Sequence, residues 1–166
     1  MLKLKNAPGL NYKLMTAGLM LTIDESEVAT TVDDVAAQAV IDAWTLAEAA
    51  AYVCIDVVAY AKDLRNKVIG TRSPGELASW SDKRSEAAEY AASGDETRAP
   101  GLKMEAKERG CLLWELCARV NRNAQLFVAL EAKISGTAGR HCDAIKACQS
   151  FDEIAVYDWS TGWPQV

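Results

Sequence analysis

Apolar side chains recur every three or four residues over a long stretch within residues 100–135. This spacing places them on one face of an α-helix, as is typical of two helices packed along their length. We therefore predict a long helix here, broken or kinked near Gly110 because glycine destabilises a helix interior. The predicted packing face consists of Leu113, Leu116, Val120, Asn123, Phe127, Leu130 and Ile134.

One position of this packing face is polar. A polar residue between packed helices, such as Asn123, can fix their register or their oligomeric state at a cost in stability. The same side chain can instead hydrogen-bond a local backbone group. The sequence leaves both readings open.

A second long helix is predicted over residues 34–65, with Thr31 or Asp33 as its cap. Two neighbouring rows of its side chains are apolar, so its apolar face is wide. A helix that is apolar on two flanks contacts more than one partner. Its candidate packing residues are Trp44, Val53, Val57 and Tyr60.

A small β hairpin is predicted before these helices. Residues 2–5 alternate between apolar and polar side chains, and residues 12–23 give a second candidate strand region with a bend at Ala17 and Gly18. A hairpin alone is marginally stable, so it should pack on the helices or on another subunit. We therefore divide the chain into a β leader, residues 1–30, and a helical domain, residues 31–166.

Shorter helices complete the predicted fold. Ser73, Pro74 and Glu76 form a helix start signal, with the helix extending to about residue 93. Gly136 and Gly139 predict the end of the long helix, and further helical segments are expected over residues 141–150 and 151–157. The predicted fold class is mainly α: a long antiparallel helical hairpin or bundle with a small N-terminal β hairpin, a short C-terminal helix and an aromatic tail.

Composition and charge exclude several classes of partner. The net charge of the 166 residues is −5, with basic and acidic side chains interleaved, so nucleic acid is not an expected partner. The N-terminus has no signal-peptide apolar region, and the most apolar window, residues 47–61, contains Glu48 and Asp56, so no membrane span is expected. Five cysteines without a Cys-x-x-Cys pair indicate reduced thiols in a cytosolic product.

Catalytic and metal-binding residues are not expected either. His141 is the only histidine, and it adjoins Cys142, but zinc requires three or four converging ligands. Cys111 and Cys117 are six residues apart, which separates them by about 9 Å along a helix. The sequence also contains no pair of carboxylates placed for catalysis and no phosphate-binding glycine loop. The sequence predicts a non-enzymatic protein without a metal or cofactor.

The aromatic C-terminal tail is the best candidate for a functional contact. Trp159 and Trp163 are large side chains of the type enriched at interaction hot spots. A terminal segment is ordered only when it docks on something. Two alternatives remain: the tail docks on the helical pair of its own chain, or it inserts into a neighbouring subunit.

Three segments together carry a family resemblance. The first is SPGELASW at residues 73–80 with KRSEA at residues 83–87. The second combines AP at residues 99–100 and EAKERG at residues 105–110 with ALEAKISGTAGRH at residues 129–141. The third is FDE at residues 151–153, closing on YDWSTGWP at residues 157–164. Over residues 59–164 the chain resembles a group of tailed-bacteriophage proteins associated with tails and tail fibres.

The resemblance implies a role in the virion or in its assembly. The first functional hypothesis is a structural component of the phage tail, a fibre- or baseplate-associated adaptor that assembles with other tail proteins through helix packing and forms a homo-oligomer. The alternative is a tail fibre assembly chaperone that is absent from the mature virion. A third class, a small helical enzyme or lysis factor, would need clustered ionisable side chains, and the sequence contains no such cluster. The expected location is the virion tail.

Overall fold

A computed structural model describes residue 2, residues 5–23 and residues 29–166, and this part of the chain is mainly helical, as predicted. None of its helices combines the length and the apolar character needed to cross a bilayer. In chain order the elements are α1 (Leu10–Thr16), β1 (Thr22–Ile23), β2 (Ala29–Thr30), α2 (Asp34–Ala43), α3 (Leu46–Ile69), α4 (Pro74–Ala78), α5 (Trp80–Ser93), a 3-10 turn (Glu96–Arg98), α6 (Pro100–Arg109), α7 (Leu113–Ala147) and α8 (Phe151–Val156).

The predicted β leader is wrong for most of its length. Residues 10–16 form the helix α1, because Leu10 and Leu14, four residues apart, share a buried face. β structure in the described residues is limited to the two-residue antiparallel pair of β1 and β2. Lys3 and Leu4, in the first predicted strand, lie outside the described residues. The proposed boundary at residue 30 stays a prediction.

The predicted helix over residues 34–65 is two helices, α2 and α3. Trp44 is extended, with ψ of 123°, and ends α2. Thr45 then caps α3: the Glu48 backbone N–H donates to the Thr45 hydroxyl, and the Glu48 carboxylate accepts from the Thr45 backbone N–H at 2.9 Å. This reciprocal capping box satisfies backbone groups at the start of α3, so it fixes the break. The hydrogen bonds that the Glu48 carboxylate accepts from the Thr45 backbone N–H and hydroxyl hold the pKa of Glu48 below its usual value.

The long helix of residues 100–135 also differs from its predicted bounds. Gly110, with φ of +63°, ends α6, and α7 begins at Leu113, so the expected weak point is a complete break. At the other end, Gly136 and Gly139 do not terminate α7, which continues to Ala147. Each glycine costs about 1 kcal/mol in a helix. The C-terminal tail packs on this part of α7, as described below, and its contacts offset that cost.

The short helices follow local capping signals. Ser73 caps α4 and Pro74 occupies its first turn, as predicted, but a separate helix, α5, starts at Trp80. Ser150 caps α8 by accepting from the Glu153 backbone N–H. The Ser73 cap could be read from the sequence because its pattern involves residues within one helical turn.

The chain forms two compact units. The first contains Met1–Leu64 and Ser135–Gln165, and the second contains Arg65–Ile134 with Val166. The core of the first unit joins buried residues of α1, α2, α3, α7 and α8, among them Leu14, Ile41, Val57, Ile145 and Ile154. The core of the second unit lies between α5, α6 and α7 and contains Ala87, Ala99, Leu102, Ala106, Leu116 and Cys117.

Candidate functional site

The predicted packing face of α7 is covered only at its ends. Leu116 and Ile134 are 2% and 1% exposed. Leu113, Val120 and Leu130 are half-buried, whereas Asn123 and Phe127 are exposed. The Asn123 side chain makes no hydrogen bond with the residues that the structure describes. The middle of the face therefore lies open.

The open part of the face borders a groove in the second unit. The groove has a volume of about 710 Å³, which is within the range of small-molecule sites. We call it the α7 groove. Its apolar lining consists of Val68, Trp80, Leu116, Val120, Ala124, Leu126, Phe127, Val128 and Leu130.

An aromatic pair lies in this groove. The rings of Trp80 on α5 and Phe127 on α7 meet edge to face, with centroids 5.8 Å apart. The Arg72 guanidinium lies 5.4 Å from the Trp80 ring centroid and donates to the Val68 and Ile69 carbonyls. Arg72 therefore joins the end of α3 to the aromatic pair.

A carboxylate holds α5 against the start of α6. Glu86 accepts from the Gly101 and Leu102 backbone N–H groups at 3.2 and 2.8 Å. These groups lack a local cap, because the residue preceding the helix is Ala99. A Cβ at position 101 would lie 2.9 Å from a Glu86 oxygen, so glycine permits the approach. Glu86 also lies near Cys117, whose pKa is raised chiefly by burial.

Two further contacts position α7. The Asn121 side-chain amide donates to the Ala87 carbonyl on α5 at 3.1 Å. Arg65, near the end of α3, donates to both oxygens of Glu131 at 2.7 to 3.0 Å. The hydrogen bond to this carboxylate raises the pKa of Arg65. These contacts set the positions of the groove walls.

The polar lining of the α7 groove is mainly cationic. Lys83 and Arg109 both form ion pairs with Glu105, at 2.9 and 2.6 Å, and Arg72 approaches Glu76 at 3.7 Å. The hydrogen bond from Lys83, together with Arg109, lowers the pKa of Glu105. The lining also contains the guanidinium groups of Arg84 and Arg119. An apolar surface with positive side chains suits an anionic amphipathic partner.

The packing residues predicted on the earlier helix are mostly internal. Trp44 and Val57 are 8% and 0% exposed and belong to the core of the first unit. Val53 is half-buried against the same core, and Tyr60 lies beneath the C-terminal tail. Their use as contacts to another protein stays a prediction.

The aromatic tail docks within its own chain. The Trp159 and Trp163 rings lie 5.9 and 5.1 Å from the Tyr60 ring, centroid to centroid. The Trp163 indole N–H donates to the Trp159 carbonyl at 2.8 Å. The tail could dock on its own chain or insert into a neighbouring subunit, and in the structure it docks on its own chain.

His141 is the central polar contact of the tail. This residue is 3% exposed, and its Nε2 donates to the Thr161 carbonyl at 2.9 Å. Its Nδ1 lies 2.9 Å from the Tyr157 hydroxyl oxygen, and its ring packs 5.7 Å from that of Trp163. Both ring nitrogens are therefore occupied by tail contacts.

The hydrogen bonds of His141 with the tail do not involve a cysteine. The Cys54 thiol lies 3.9 Å from the Cys142 carbonyl oxygen, and burial raises the pKa of Cys54 to about 11. A thiol with such a pKa is a poor nucleophile at neutral pH. Within the described residues, no three His, Cys, Asp or Glu side chains converge as metal ligands.

Sequence reasoning missed the groove's other wall. The spacing of apolar residues identified the α7 residues and placed Trp80 and Arg84 on one side of their helix, but it did not connect this side with Phe127 or Arg119. The only signal was the position of Trp80 on the apolar side of its helix. Comparison of the chain with protein families, with curated proteins and with solved structures finds no match.

Proposed function

We propose that this chain is a non-enzymatic structural component of a bacteriophage tail. It acts as an adaptor that binds a fibre or baseplate protein by helix packing, with the long antiparallel helical pair as its scaffold. It forms a homo-oligomer and resides in the virion tail. The phage context rests on the resemblance of residues 59–164, and the binding mode rests on the α7 groove.

The observation that carries the proposal is the uncovered apolar surface of α7. Leu126, Phe127 and Val128 are 63%, 38% and 50% exposed, and all three line the groove. Contiguous exposed apolar surface with a polar rim is typical of protein interaction sites. The two carboxylates in the groove are engaged in ion pairs with cations beside them. This arrangement supports binding of a partner.

The first test is quantitative mass spectrometry of virions purified from the phage that encodes the chain. We expect the protein at a fixed ratio to the tail proteins. Absence from virions, with co-purification on fibre subunits from infected cells, would favour the assembly chaperone instead. Absence from both would overturn the proposal. Light scattering on the purified protein tests self-association, and a monomer at all concentrations would contradict the oligomer.

A pair of variants ties this test to the α7 groove. Phe127→Ser places a polar side chain in the groove and should remove the protein from virions. Trp114→Ser is the matched control: Trp114 is 57% exposed on the same helix and does not line the groove. Equal incorporation of the two variants, both folded by circular dichroism, would refute the groove as the contact surface.

A further inference from the structure

The positive side chains of the α7 groove outnumber its negative ones. Five of the lining residues are cationic and two are acidic. The side chains of Arg84 and Arg119 form no ion pair or hydrogen bond with any residue that the structure describes, whereas the other three cations pair with Glu76 or Glu105. Two guanidinium groups in the lining are thus available to an incoming anion. A guanidinium binds a carboxylate through two parallel hydrogen bonds.

The apolar part of the groove is long enough for a partner helix. Its α7 residues run from Leu116 to Leu130, which corresponds to about 21 Å along the helix axis. A partner helix of about four turns would cover this length. Residues spaced by three and four on such a partner would meet Val120, Phe127 and Leu130, as in other helix-in-groove complexes.

We propose that the α7 groove binds an acidic amphipathic helix of a partner protein, with carboxylates of that helix facing Arg84 and Arg119. The apolar face of the partner packs on Phe127 and Trp80. Charge complementarity selects the acidic partner over a basic one, because like charges opposed across an interface are unfavourable. The inference rests on the proposed use of the groove as a protein contact, but not on the partner being a phage protein.

The test is a selection of peptides on the purified full-length protein. The probe is a randomised library of 14-residue peptides built on a helix-forming alanine framework. We expect the selected sequences to carry apolar residues at three- and four-residue spacing and Asp or Glu on the flanks. The Arg84→Gln/Arg119→Gln double variant should bind the best acidic peptide about tenfold more weakly, with a smaller salt dependence.

Arg122→Gln is the matched control, since Arg122 is exposed on α7 and does not line the groove. It should bind the acidic peptide as the unmodified protein does. Failure to select any peptide, selection of basic peptides, or equal losses in the double variant and the control would overturn the inference. A dimer that Phe127→Ser dissociates would assign the groove to a second copy and would also overturn it. The peptide selection uses no virions, so its result does not depend on the phage role. If acidic peptides are selected but the chain is absent from virions, only the phage role is refuted.

Discussion

Removing the Trp163 side chain should destabilise the first unit substantially. Trp163 packs against the rings of Tyr60 and His141, and its indole N–H donates to the Trp159 carbonyl. Truncating a fully buried tryptophan costs about 3–5 kcal/mol, so about 2 kcal/mol is expected for a half-buried one. The lost hydrogen bond adds about 1 kcal/mol. Trp163→Ala should therefore lower the free energy of unfolding by about 3 kcal/mol.

Thermal unfolding followed by circular dichroism measures this effect. For a chain of this size, about 3 kcal/mol corresponds to a fall in Tm of roughly 6–12 °C. Trp114→Ala is the control, because Trp114 is 57% exposed and its truncation should change stability by less than about 0.5 kcal/mol. Chymotrypsin should also cleave at Trp159 faster in Trp163→Ala. A fall in Tm no larger than that of the control would refute the argument that the tail stabilises the fold.

Two more predictions concern carboxylates of the second unit. Glu86→Ala removes the acceptor from the start of α6 and should lower the free energy of unfolding in urea by about 2 kcal/mol. Glu89 is exposed on α5, as a control, and Glu89→Ala should cost less than about 0.5 kcal/mol. Equal effects of the two variants would contradict the capping role of Glu86. The pKa of Glu105 lies below its ordinary value of 4.5 in the folded state, first because of its hydrogen bond from Lys83. Its stabilising contribution is therefore complete above that value and lost as the pH falls through the folded pKa, so the Tm difference between the unmodified protein and Glu105→Gln should vanish at low pH. Parallel Tm profiles between pH 2 and 6 would exclude this contribution.

Local patterns in the sequence predicted the helices better than their ends. The mainly helical fold and the cap at Ser73 followed from residues within one turn of each other. The capping box of Thr45 and Glu48 is also local, but the apolar period continues across it, so the break was missed. The apolar spacing favours a continuous helix at this point, whereas the backbone hydrogen bonds of the cap favour a break. The structure contains the break.

The remaining errors come from contacts between distant residues. Gly136 and Gly139 predicted a helix end by local propensity, but tail contacts at His141 support the continued helix. The cap of α6 comes from Glu86, fifteen residues from Gly101, and no local rule locates it. The α7 groove likewise needs Trp80 opposite Phe127, a proximity that only tertiary packing produces.

The discontinuity of the first unit has a consequence during protein synthesis. Residues 65–134 separate its two segments, and ribosomes add about 5–20 residues per second, so roughly 4–14 s pass between them. During that interval Ile41 and Val57 lack Ile145 and Ile154, their neighbours in the mature core. The second unit is nearly continuous in sequence and can acquire its contacts while the nascent chain is still growing. Because residues 135–165 are made after residues 65–134, the segment 1–64 lacks part of its core during that interval, which gives a chaperone seconds in which to bind it.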